Sequence, residues 1–322
     1  MALKHAFTSG KADGGDATLV QPSNWNAAHS IDMDGLTLPA HTSTPSTPAS
    51  GNVVIFNKPV ASRQMLAQEG PSGIDTVLQP HIGRNRTVRW QPIGNATTVP
   101  IVEGILAPTA VGTATARTVA TTNIATRMKR LGYASAATAG SLAGHYFLAG
   151  AQQYTLGDGS GLGGFHYICR FVVSDPAAVS GARQFIGFRN IVTAPANVEP
   201  NSVTNCFGIA QLSTDNTQWY IVYGGSAAQT AIALGTGLGA PTLTNTAWDL
   251  ALFAPPNSNN TVYYQVTNLG SNVTVSGTLT GTAGTVLPLS TALLAPCVWR
   301  CNNATALAVG IDVASHYIET DQ

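Results

Sequence analysis

The sequence predicts an all-β protein, with an extended N-terminal anchor followed by a two-sheet β-sandwich of jelly-roll or lectin-like type. Three observations carry that prediction. Short alternating apolar runs recur from residue 97 onward, the period of a half-buried strand. Clusters of Gly, Asn and Pro separate the runs, and no segment shows a sustained helical period. Charged residues make up only 9% of the 322 residues and net charge is zero, against about 25% charged in an ordinary globular domain. A surface that poor in charge does little to keep copies apart, so the composition points to a member of an assembly.

Three regions follow in order. Residues 1–50 read as an extended segment. Asp13-Gly14-Gly15-Asp16 is a turn cluster, and Ser23 or Asn24 is placed to cap one helical turn starting at Trp25. Residues 39–51 hold three prolines among Thr and Ser and read as a polyproline-like linker. Residues 51–96 read as a small docking module with little to bury on its own: a strand signal at Asn52–Phe56, a turn at Gly70–Gly73, then a basic stretch, Arg84 to Trp90. Residues 97–322 read as continuous β structure. Strands are expected at Tyr167–Val173, Phe185–Phe188, Phe207–Leu212, Trp219–Tyr223, Trp248–Phe253, Val262–Val266, Val273–Leu279 and Leu307–Val313. The Thr/Ala run 109–126 stays open between strand and helix, and between sandwich and trunk.

The residues point away from most chemistries. Cys297 and Cys301 would share a strand face about 13 Å apart, too far to bond to each other. With no paired ligands nearby, buried free thiols are expected, and no metal or cofactor. Arg84, Arg86 and Arg89 are too few for nucleic acid and are expected to pair with partner carboxylates or with Asp75 and Glu69; Arg127-Met128-Lys129-Arg130 is read the same way. Glycoside hydrolysis needs two carboxylates about 5–9.5 Å apart, and the acids after residue 150 show no such pairing. Asp158, Asp175 and Asp215 lie in turn contexts that favour local backbone bonds. Asp249 and Asp312 lie inside apolar strands, where Arg170 or Arg300 could neutralise them, or they face water. The glycines around Ser160 read as a loop, not as a nucleophile elbow. No catalytic residue is assigned, and the protein is expected not to be an enzyme.

Trp219, Ile221 and Tyr223 are expected on one strand face, with Tyr220 and Val222 on the other. One set should be core, so sugar contacts are expected first on the loops 224–229 and 257–260, with ligand residues unassigned. No apolar run of about 18 residues is present, and the N-terminus lacks the apolar core of a signal peptide. No membrane insertion is therefore expected, and synthesis and assembly in a cytoplasm are, whatever the final location.

Three segments resemble structural fibre and minor tail proteins of tailed bacteriophages, whether of head or tail fibres. The first runs from Lys11 to His29 and ends in Trp25-Asn26-Ala27-Ala28-His29. The second is Gly70-Pro71-Ser72-Gly73-Ile74-Asp75-Thr76-Val77-Leu78-Gln79-Pro80, followed by Trp90-Gln91-Pro92. The third runs from about Phe165 to Asp321 and closes on Tyr317-Ile318-Glu319-Thr320-Asp321. The resemblance implies a virion component assembled in a host cytoplasm, a homotrimer, held through its N-terminus by a portal, adaptor, capsid or tail protein and facing outward with its β domain, with a host-surface glycan as the expected outer partner. Trp25 would bury its ring in a socket while Asn26 and His29 bond around it; the alternative is a tryptophan packed on the chain's own residues 52–94. Two other roles remain open beside attachment: decoration of a capsid or neck, and a polysaccharide-depolymerising spike.

Overall fold

The computed structural model describes residues 12–15, 37–41, 43–69, 87–92, 107–148, 150, 152–241 and 245–320, with the backbone of 2–3, 29–30, 75–78 and 86. Two short strands, β1 (Ala2–Leu3) and β2 (His29–Ser30), pair antiparallel. Next come β3 (Val54–Val60), β4 (Arg63–Glu69) and β5 (Asp75–Leu78), which form a three-stranded sheet, and β6 (Arg86–Trp90). The sandwich strands follow: β7 (Thr109–Val111), β8 (Thr113–Ala116), β9 (Leu131–Ala134), β10 (Leu142–Tyr146), β11 (Phe165–Val173), β12 (Arg183–Arg189), β13 (Cys206–Leu212) and β14 (Asp215–Gly224). The rest are β15 (Ile232–Ala233), β16 (Trp248–Ala254), β17 (Thr261–Asn268), β18 (Thr274–Thr280), β19 (Ala295–Cys301) and β20 (Gly310–Thr320). One helical turn, α1 (Ile124–Arg127), starts on a capping box between Asn123 and Thr126.

Two antiparallel sheets face each other. The seven-stranded sheet has the order β15-β14-β13-β12-β19-β10-β7, and the eight-stranded sheet runs β18-β17-β16-β11-β20-β9-β8 with β6 also on β20. The fold is thus the all-β sandwich that the alternation predicted. Each sheet turns one row of apolar side chains inward. Ile186, Phe188, Phe207, Ile209, Trp219 and Val298 meet Phe165, Tyr167, Phe171, Trp248, Leu250 and Ile311 in one core. At about 25 cal/mol per Å² of apolar surface, a fully buried side chain of this kind contributes roughly 1.5–3 kcal/mol.

The Thr/Ala run belongs to the sandwich and uses both conformations it allowed. β7 lies in one sheet and β8 in the other, with Gly112 alone between them. Gly112 has φ +72°, and a Cβ there would lie 2.3 Å from the Ala134 carbonyl oxygen, so only glycine turns this corner. The run then ends in α1. β6, which the sequence places with the docking module, joins the sandwich instead. It pairs with residues 316–320 of β20, while β9 pairs with residues 310–313. Val88 and Trp90 are therefore part of the main core.

The two sheets treat their outer faces differently from an ordinary half-exposed sheet. In β17 buried and partly exposed residues alternate, but β13 and β19 are buried at every position. Phe185, Cys206, Ala210, Val222, Cys297, Trp299 and Cys301 form a second apolar cluster on the outer face of the seven-stranded sheet. All four cysteines are free and buried, as the spacing indicated.

Candidate functional site

The outer cluster is roofed by residues 190–205, the connection between β12 and β13. That is a long link for two neighbouring antiparallel strands, which usually need about two to five residues. Its position is fixed at two points on β12. Arg183 donates through Nε to Glu199 Oε2 (2.7 Å) and through Nη1 to Asn197 Oδ1 (2.6 Å). Glu199 also accepts from the Ser213 backbone N–H (2.8 Å) and hydroxyl (2.7 Å). At the other end of the strand Arg189 donates through Nη2 to the Thr193 carbonyl. Arg183 and Arg189 lie an even number of residues apart, so they share a face.

Between these ties the loop stands off the sheet and leaves a cleft of about 190 Å³. Phe185 and Trp299 line it from the sheet, with ring centroids 6.4 Å apart and planes 28° apart. Ile191, Thr193, Pro195, Val198 and Val203 line it from the loop, and Ile191 and Val198 are exposed at its lip. The polar group inside is Arg189. It is only 6% exposed, its Nε has no hydrogen-bond partner, and among the described residues no carboxylate pairs with it. Burial pushes the neighbouring thiols of Cys206 and Cys297 up, to about 12 and about 11, with the Arg189 charge acting in the opposite direction. Both stay protonated at neutral pH and neither neutralises the guanidinium.

A second pocket lies on the far side of the molecule. The hairpin β3–β4 packs on the outer face of the eight-stranded sheet, where Val60, Ala61 and Met65 meet Ala251, Ile168, Phe253 and Tyr263. Its two-residue turn, Ala61-Ser62, has φ of +47° and +60°, a geometry that Asn and Gly adopt more readily. Docking holds it: the Ala61 N–H donates to Gln265 Oε1 at 3.2 Å. Arg63 bridges to Glu319 through two bonds of 2.8 and 2.6 Å and lies 5.8 Å from the Phe253 ring centroid. Under it is a pocket of about 140 Å³ that also touches His166 and Pro256. Burial first, then the Arg63 charge, lowers the His166 pKa to about 3, with Glu319 opposing.

The carboxylates of the sandwich are engaged. Asp158 and Asp215 bond their local backbone, as their turn contexts predicted, the first at Ser160 and Leu162 and the second at Thr217. Asp249 takes a bidentate pair from Arg170, at 2.7 Å twice. Asp175 departs from the expected turn role. It is buried and holds Arg300 through bonds of 2.7 and 2.5 Å, linking the end of β11 to β19 across the core. Asp312 is buried against Arg117, Arg130 and Ser174 on the outer face of the eight-stranded sheet. Arg300 is therefore not its partner, and the Arg130 end of the second basic stretch is spent inside the fold.

A further polar chain is sealed between the sheets. Tyr167 Oη lies 2.9 Å from His316 Nδ1, and His316 Nε2 lies 3.1 Å from His145 Nε2. Burial lowers both imidazoles, His316 to about 3, so the pair is neutral at pH 7. Trp90, Tyr133 and Phe147 surround it.

Of the residues assigned to docking, Trp25 and Asn26 lie outside the described residues, and His29 is described only as a backbone partner of Leu3. Trp219 and Ile221 are core while Tyr220 and Val222 face outward, the split that alternation required. The loops 224–229 and 257–260 do not line the cleft. The first is tied to residues 284–285 and the second packs on the glycine loop 157–164. The cleft residues were missed: Arg189, Phe185 and Trp299 come from separate strands. The available signal was Arg189 closing a strand ahead of a long Pro- and Ala-containing connection.

No protein-family model matches the chain, and no curated protein matches it. Solved structures with similar strand arrangements include a protein of unknown function from Shewanella oneidensis, 12% identical, covering 73% of this chain and 86% of that one, with a TM-score of 0.43. Peanut lectin is 11% identical over 73% of this chain and 97% of its own, with a TM-score of 0.45. An endo-β-1,4-glucuronan lyase from the fungus Trichoderma reesei is 12% identical over 68% and 92%, with a TM-score of 0.43.

Proposed function

We propose that this chain is a non-enzymatic structural component of a bacteriophage particle, a trimeric fibre or spike. Residues 1–50 hold it to a virion protein, and the β-sandwich faces outward for attachment to a host-surface glycan. The observation that carries the reading is how the few charges are spent. Asp175, Glu199, Asp249, Asp312 and Glu319 are each paired with arginine within the fold. Among the described residues few charged side chains stay exposed outside these pairs, a surface that suits contact with sister copies and a scaffold more than isolation in water. The resemblance of Lys11–His29 to fibre openings supports the same reading.

Attachment would then be geometric. Several copies of a weak site on one trunk act together, and effective concentration turns weak binding into firm adhesion. Full-length protein, added in excess, should compete with particles for host cells, and labelled antibody should mark particles by electron microscopy. Particle labelling without cell binding would leave decoration as the role. A monomer that marks neither particles nor cells would overturn the reading.

A further inference from the structure

Resting on the attachment reading, the geometry points to an acidic sugar as the ligand of the cleft under residues 190–205: we propose that Arg189 takes its carboxylate. The argument starts from the cation. Arg189 is nine-tenths buried, its Nε faces no acceptor, and among the described residues no acid pairs with it. Each of the other buried or half-buried arginines Arg63, Arg117, Arg130, Arg170, Arg183 and Arg300 has its carboxylate. A guanidinium withdrawn from water without an anion is costly, and its planar fork matches a carboxylate edge.

The surroundings narrow the anion. Arg183, the other arginine on this face, is already held by Glu199. One free positive charge suits one negative charge better than a phosphate dianion. Apart from Thr193, the remaining walls are apolar: Phe185 and Trp299 on the floor, Pro195, Val198 and Val203 in the roof. Such a surface desolvates an inorganic ion without return, but accepts the C–H face of a pyranose ring. The volume of about 190 Å³ is well above the minimum of about 10–15 Å³ for one water, and the open lip leaves room for one sugar unit. The exposed lip at Ile191 and Val198 leaves the outer hydroxyls in water, so their bonding needs no further buried partner. A neutral sugar would fill the space and leave the cation unpaired.

The test is direct titration of the full-length protein, by saturation-transfer NMR and calorimetry, with methyl β-D-glucuronide, N-acetylneuraminate, methyl β-D-glucoside and butyrate. At least one of the two acidic sugars should bind ten-fold or more tightly than the glucoside and than butyrate. Arg189→Gln should remove that preference. Val198→Asp, at the exposed lip, places a competing carboxylate by the cleft and should weaken the acidic sugar even if Arg189→Gln fails to fold. Equal binding of glucuronide and glucoside, binding of butyrate as tight as the sugars, no binding of either acid, or an unchanged affinity in both variants would overturn the proposal. Cell attachment that persists undiminished in both variants would overturn it while leaving the attachment reading standing.

Discussion

The two outer faces of the sandwich are both covered, but by different means. The hairpin and the segment around α1 close the face of the eight-stranded sheet. There each arginine brought inward meets an acid: Arg63 meets Glu319, and Arg117 and Arg130 meet Asp312. The face of the seven-stranded sheet is closed by the loop 190–205, held from β12 by one arginine with an acid partner and one without. The face sealed by the hairpin and α1 has its arginines paired with acids, and, among the described residues, the face under the loop keeps one arginine without an acid. If the proposed ligand is right, the contrast separates structural cover from a binding cleft on the same molecule.

Acid should break the sealed regions most severely. His145, His166 and His316 all have folded pKa values below the ordinary 6.5, chiefly through burial. Below pH 6.5 the unfolded chain binds protons that the folded chain refuses, so stability is complete above that pH and falls toward pH 3. Each histidine contributes a slope on the order of 1.4 kcal/mol per pH unit. Urea unfolding between pH 7 and 4 should show a steep fall in midpoint, and His166→Leu should make it shallower. A flat profile would contradict the burial of these rings.

Asp312→Ala comes next. It strands Arg117 and Arg130 and should cost about 3 kcal/mol or more in urea unfolding, the scale for breaking a buried pair from one side. Arg63→Met should cost less, about 1–3 kcal/mol, because Glu319 keeps the Tyr317 hydroxyl at 2.7 Å. Its signature is local: faster proteolysis within residues 43–69 than in the sandwich. The smallest change belongs to the open face. Arg189→Met removes a charge without an acid partner and should shift stability by under about 1 kcal/mol, in either direction. A loss as large as that of Asp312→Ala would mean that the bond from Arg189 to the Thr193 carbonyl is its main role, and the comparison between the faces would fail.

The legible parts of the fold were those decided within one strand. β11, β16 and β17 carry polar residues between apolar ones, β12 and β14 hold consecutive apolar residues, and in all five every second residue faces the interior. The Arg170–Asp249 pair was also within reach, since cross-strand neighbours on adjacent β11 and β16 meet directly. β9 and β10 were not legible: Leu131-Gly132-Tyr133-Ala134 and Leu142-Ala143-Gly144-His145 each carry a glycine and too few polar residues to alternate. Arg300 was expected as a partner for a strand acid, and closure of the two sheets instead gives it Asp175. The cleft was harder still. Phe185, Arg189 and Trp299 read as ordinary strand residues until strand order and the roof bring them together, and neither is written locally.

The pairing of β6 with β20 has a practical outcome. Arg86 and Thr320 are register partners, so the polypeptide comes into the sandwich beside the point where it leaves. A short peptide joining these positions, with new termini opened in an exposed turn such as Asn257–Asn260, should yield a circularly permuted domain that still folds. It also means that a reporter fused after Thr320 would sit beside the entry of β6, at the sheet opposite the cleft, leaving the cleft unobstructed for imaging.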